Sequence, residues 1–139
     1  MNIELRYFSR GGNTQKVAEA IAKKAKIEAK DCSKPITKTV DLLFLGGSVY
    51  GFGLDGALKK FVRELDPEKV KMVALFGTSA IIKSGNKEMR KLLSDKGIIV
   101  MEKEFYCRGS FTLMNMGSPN DKDLKRAAEF ARDVLNELN

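Results

Sequence analysis

The sequence predicts an α/β protein built on a parallel sheet with helices on both faces. Short, continuous apolar runs alternate along the chain with segments whose apolar residues recur at helical spacing. Runs of that kind mark strands buried on both sides, and the alternation joins them in parallel. Glycine turns are expected directly after three of the runs, at Gly11-Gly12, Gly46-Gly47 and Gly77, where the strands end. No repeat, low-complexity tract or linker divides the 139 residues, so one domain spanning 1–139 is expected.

The first strand is read from Ile3 to Phe8, and a helix follows from about Asn13 to Ala25, with Val17, Ala18, Ile21 and Ala25 inward. A weaker strand lies around Ile27 to Cys32. The Pro35-containing link beyond it has no convincing helical stripe, so a second helix there is short or missing. Leu42 to Leu45 reads as a buried strand ending in a Gly46-Gly47-Ser48 turn. Asp55 is placed to cap a helix that buries Leu58, Phe61, Val62 and Leu65, and Asp66-Pro67 ends it. Val70 to Phe76 is the next strand, turning at Gly77-Thr78-Ser79-Ala80, and a helix from about Asn86 to Ser94 follows. Ile98 to Tyr106 makes a fifth strand, with a polar, sulfur-containing loop from Cys107 to Gly117. Ser118-Pro119-Asn120-Asp121 opens a last helix that buries Leu124, Ala128, Ala131, Val134, Leu135 and Leu138.

Composition narrows the chemistry. The chain contains no histidine, which excludes Ser-His-Asp, Cys-His and zinc-histidine mechanisms, and no metal site is expected. Its two cysteines, Cys32 and Cys107, have no metal or redox spacing and read as reduced thiols. No apolar run reaches the ~20 residues of a membrane span and no signal-peptide pattern opens the chain, so a cytoplasmic protein without a membrane partner is expected. The net charge of +7 comes from dispersed lysines and arginines interrupted by acidic residues. That pattern describes solvated helix faces, and no nucleic-acid partner is expected.

The segment Ser9-Arg10-Gly11-Gly12-Asn13-Thr14 supplies what a phosphate needs. Its glycines let the backbone approach a ligand closely, and the following helix presents N–H groups and partial positive charge at its N-terminus. Ser9, Asn13 and Thr14 add side-chain hydrogen bonds, and Arg10 adds charge. The plain structural alternative is a strand–turn–helix link capped by Asn13 or Thr14. The loop is neither a Walker A nor a dinucleotide fingerprint.

This loop resembles the Ser/Thr-x-Thr-Gly-Asn-Thr loop with which flavodoxins hold the phosphate of FMN, with Gly11 standing where that family often has threonine. The resemblance runs over nearly the whole chain and implies a doubly wound, five-stranded parallel sheet in the order 2-1-3-4-5. Ligands of such sheets bind beyond the carboxyl ends of the strands, where strand order reverses. Ser48, Val49, Tyr50, Gly51 and Phe52 then match the family's second flavin-contacting loop, in which Tyr50 or Phe52 is placed to cover the ring. Gly77, Thr78, Ser79 and Ala80 match its third loop, although the tyrosine and acidic residues that the family often carries there are missing. The segment Cys107-Arg108-Gly109 is similar to a Cys-x-Gly segment of short flavodoxin-like proteins.

The resemblance implies an FMN-binding redox protein, acting as an electron shuttle between enzymes or as a small reductase of quinone-, nitro- or porphyrin-like substrates. Carrier flavodoxins are typically acidic, whereas this chain is basic, so the expected partner is a redox protein with an acidic docking surface. Two other classes share the fold. A phosphorelay receiver is disfavoured, because Ser9, Ser48 and Cys107 stand in the regions where it needs acids and a lysine. A flavin-free interaction module is separated from the redox reading only by measuring bound cofactor.

Overall fold

The computed structural model describes residues 1–49, 54–79, 85–109 and 119–139. Its strands are β1 (Ile3–Tyr7), β2 (Ala29–Asp31), β3 (Leu42–Val49), β4 (Met72–Ser79), β5 (Ile99–Val100) and β6 (Phe105–Arg108). The helices are α1 (Asn13–Ala25), α2 (Gly56–Glu64), α3 (Asn86–Asp95) and α4 (Asp121–Leu138). All pairings among the described residues are parallel, in the order β2-β1-β3-β4-β5, and β6 also pairs with β4. The order expected from the sequence holds. The single fifth strand does not, because it divides into β5 and β6 along the same flank of β4. Glu102, Lys103 and Glu104 are all exposed, and three successive charged side chains cannot alternate into a buried sheet.

Side-chain alternation gives the sheet two cores. Leu5, Leu42, Phe44, Ala74 and Phe76 pack against Val17, Ala18 and Ile21 of α1 and Phe130, Ala131 and Val134 of α4. Leu43, Leu45, Val73 and Leu75 face the other way, onto Leu58, Phe61 and Val62 of α2 and Met89 and Leu93 of α3. Ala127 and Phe130 are more deeply buried than the expected Leu124 and Ala128. Asp55 caps α2 as expected, its side chain accepting from Ala57 N–H, and Asn120 caps α4 in a reciprocal box with Asp123.

Two expected turns are strand instead. β3 continues through Gly46, Gly47 and Ser48, and β4 continues through Gly77, Thr78 and Ser79. A Cβ on Gly46 would overlap the Phe76 ring, and one on Gly47 would overlap Leu58 Cδ1. These two glycines serve close packing inside the sheet rather than chain reversal.

No helix forms between β2 and β3. Arg6, on the α2 side of β1 and only 3% exposed, holds that connection down. Its Nε donates to Lys34 O at 2.7 Å and its Nη2 to Pro35 O at 3.1 Å. The same Nη2 pairs with Glu4 at 2.9 Å, and Nη1 reaches Leu5 O at 3.1 Å. Beside the clamp, a groove of about 620 Å³ runs between the 32–36 segment and α2, lined by Phe8, Cys32, Ile36, Phe61 and Leu65 among others. Among the described residues no helix is long and apolar enough to cross a membrane.

Candidate functional site at the carboxyl edge of the sheet

Because the strands run parallel, the ends of β1, β3, β4 and β6 lie along one edge, and the N-terminus of α1 returns over it. α1 begins after Gly12, whose φ of 89° is the left-handed conformation that a side chain disfavours. The N-cap is Gly12 rather than Asn13 or Thr14, and among the described residues no side chain caps the helix. Ser9 Oγ instead accepts from Gly12 N–H at 3.0 Å, which folds the loop over the helix start. Where a Cβ would lie on Gly11 or Gly12, no atom of the described residues beyond the chain neighbours comes within 4 Å.

Asn13 and Thr14 point inward, 8% and 0% exposed. Thr14 Oγ1 and Thr78 Oγ1 share a hydrogen bond of 2.7 Å, joining the first and third predicted segments. Ser48, Thr78 and Cys107 stand level on β3, β4 and β6. In-register neighbours of a parallel sheet face the same side, here the side of α1. Ser48 is 4% exposed, and its Oγ is buried with no hydrogen-bond partner among the described residues. A buried hydroxyl of this kind is completed by a water, an ion or a bound polar group. Gly109 closes the row. Its N–H donates to Ser79 O at 3.0 Å, and a Cβ there would come within 2.9 Å of Asn13 Nδ2.

The structure thus gathers Ser9, Gly11, Gly12, Asn13, Thr14, Ser48, Thr78 and Ser79 at one edge. The backbone of Val49 ends β3 beside Ser79. Gly77 lies inside β4, level with Gly47. Tyr50, Gly51, Phe52 and Ala80 lie outside the described residues. Arg10 departs from the expectation that it simply adds charge to the loop, because its guanidinium bonds to Asp55, with Nε 2.8 Å from Oδ2. Partial burial raises the Asp55 pKa, but the Ala57 N–H and Arg10 outweigh it and hold the carboxyl below its usual range. Sequence reasoning saw Asp55 only as a helix cap and missed this link. A second anchor, Glu88, accepts from Leu54 N–H at 3.1 Å and pairs with Lys59 at 3.1 Å. Cys107 is a buried thiol, pushed up to about 12 by burial and by Asp123, against a smaller opposing effect of Arg126.

The family pattern described as Flavodoxin domain matches residues 5–114 of this chain. The chain belongs to the flavodoxin family. An uncharacterized protein of Methanocaldococcus jannaschii is 29% identical over 137 residues, covering 88% of this chain and 90% of that relative. Among solved structures, a flavodoxin from the domain Archaea superposes with a TM-score of 0.82 at 19% identity, over 99% of this chain and 98% of that one. Oxidised flavodoxin 2 of Bacillus cereus gives 0.74 at 15% identity, over 99% of each chain. The rubredoxin:oxygen oxidoreductase of Desulfovibrio gigas gives 0.78 at 13% identity, with this chain spanning 36% of it. At these identities the structural matches speak to fold. This flavodoxin fold carries its hydroxyl row and its glycine loop at the edge where doubly wound sheets bind ligands.

Proposed function

We propose that the protein holds FMN at this edge and serves as an electron-transfer shuttle between partner enzymes. The observation that carries the reading is Ser48, whose buried hydroxyl has no partner among the described residues and stands level with Thr78 beside the glycine loop and the start of α1. The residues fit a phosphate. Ser9 and Ser48 offer hydroxyls, and the first turn of α1 brings backbone donors and a favourable dipole. Bound FMN would supply transfer of one or two electrons. The protein's own part is to fix the phosphate and orient the ring, and neither task needs a histidine or another catalytic base. Tyr50 or Phe52 is the proposed ring cover.

Arg10 and Arg108 are both exposed next to this edge, which suits a partner with an acidic docking surface. The deciding experiment titrates purified apoprotein with FMN and with riboflavin by fluorescence quenching. FMN is expected to bind tighter by orders of magnitude, since each charge-assisted hydrogen bond contributes about 1.5–3 kcal/mol. Equal affinities would dismiss the phosphate site. Reduction of an acidic redox partner should slow as salt rises. Rapid turnover of NADH or NADPH with a small quinone or nitro acceptor, by this protein alone, would replace the shuttle with a reductase.

A further inference from the structure

Arg10 belongs to the loop just assigned to a phosphate, yet its guanidinium is turned toward α2. Nε and Nη2 both reach Asp55 Oδ2, at 2.8 and 2.6 Å. Asp55 uses its other oxygen, Oδ1, to accept from Ala57 N–H at 2.9 Å. The Asp55 side chain is 8% exposed and that of Arg10 65%. The carboxylate is therefore the fixed member of the pair and the guanidinium the movable one. Beside it, the positions where Cβ atoms would stand on Gly11 and Gly12 meet no described atom outside their chain neighbours.

We propose that Asp55 is an internal competitor of the phosphate, holding Arg10 until a dianion takes the guanidinium over, and so lowering the loop's affinity. The inference rests on the phosphate reading of the loop. Both anions bind arginine through charge-assisted hydrogen bonds, and a phosphate monoester carries about twice the charge of a carboxylate. The exchange leaves α2 capped, because Oδ1 and not Oδ2 holds the cap. The exchange moves the guanidinium, whose side chain is 65% exposed, and leaves the buried carboxylate in place. Asp55 then tunes affinity without being a phosphate ligand itself.

A double-mutant cycle tests this with Asp55→Asn, Arg10→Met and the double variant, each titrated with FMN. Asparagine caps helices as well as aspartate does, and Asp55→Ser serves as a second capped, uncharged variant. Asp55→Asn is expected to bind FMN about tenfold tighter, the gap between a charge-assisted and a neutral hydrogen bond. In the Arg10→Met background the gain should shrink to roughly two- or threefold, since only through-space repulsion is then relieved. In the wild-type apoprotein, inorganic phosphate should shift the Arg10 Nε–H resonance, and in Asp55→Asn it should do so at lower concentration. Unchanged or weaker FMN binding by both Asp55 variants would overturn the proposal, making the pair a brace that persists on binding. Equal gains with and without Arg10 would overturn it in favour of plain repulsion. If wild-type protein binds FMN no tighter than riboflavin, the phosphate site itself fails and this inference with it. Preferential FMN binding with a flat Asp55 series removes the inference alone.

Discussion

Thr14 and Thr78, one at the start of α1 and the other near the end of β4, meet hydroxyl to hydroxyl at 2.7 Å in the interior. The bond ties the glycine loop to the centre of the sheet and aligns α1 over the row of Ser48, Thr78 and Cys107.

Replacing either threonine by valine keeps the shape and leaves the other hydroxyl buried without this partner. Each single variant should lose about 1–3 kcal/mol of stability. The double variant should lose less than the sum, because both polar groups are then gone. Urea unfolding of the four proteins measures the coupling, and strict additivity would show that the bond contributes nothing.

Gly46→Ala should destabilise the fold by about 1–3 kcal/mol, because the new methyl group overlaps the fully buried Phe76 ring. Phe76→Leu in the same chain should restore part of the loss. Thermal unfolding of the single and double variants decides the matter, and a Gly46→Ala protein as stable as the wild type would contradict the packing.

Arg6→Met should cost a few kcal/mol, since it removes a buried cation and leaves Glu4 and the Lys34 and Pro35 carbonyls without it. The damage should be local. Limited proteolysis is expected to cut the 33–39 segment faster in the variant than in the wild type, with cleavage elsewhere little changed.

Both cysteines should be slow to react at neutral pH. Burial, and then the nearby Asp31, push the Cys32 thiol up to about 11 despite a lowering backbone hydrogen bond, and Cys107 reaches about 12. The folded state thus disfavours both thiolates relative to an unfolded chain with values near 9.0. The associated stability is fully present below pH 9.0 and is lost as pH rises toward 11 and 12. Alkylation rates at pH 8 and urea midpoints from pH 8 to 10.5 check this, with Cys107→Ala expected to flatten the decline. Peptide mapping should find no Cys32–Cys107 bridge. The sequence places the two on opposite edges of the sheet, roughly 19 Å apart by four strand spacings, beyond a disulfide's reach. Both are free in the structure.

Much of the architecture was legible from periodicity. Continuous apolar runs marked β1, β3 and β4, and helical stripes marked all four helices. The cap Asp55 was found from residue type and position, because capping chemistry is local. The misreadings were also physical. Gly46, Gly47 and Gly77 looked like turn glycines. At the first two, the determinant is Phe76 or Leu58 arriving from a distant part of the chain, which no local pattern reveals. No local pattern singled out Arg6, whose burial depends on the backbone of a connection 28 residues away.

The sequence by itself determined the alternation of elements, the family and the residue types gathered at the carboxyl edge, because each rests on short-range pattern. Tertiary structure alone decided which of those residues meet. It paired Thr14 with Thr78, left Ser48 Oγ buried without a partner among the described residues, and turned Arg10 to Asp55, 45 residues further on. Hydrogen bonds and ion pairs act over only a few ångströms, so partners far apart in sequence are chosen by where the sheet brings their strands and helices.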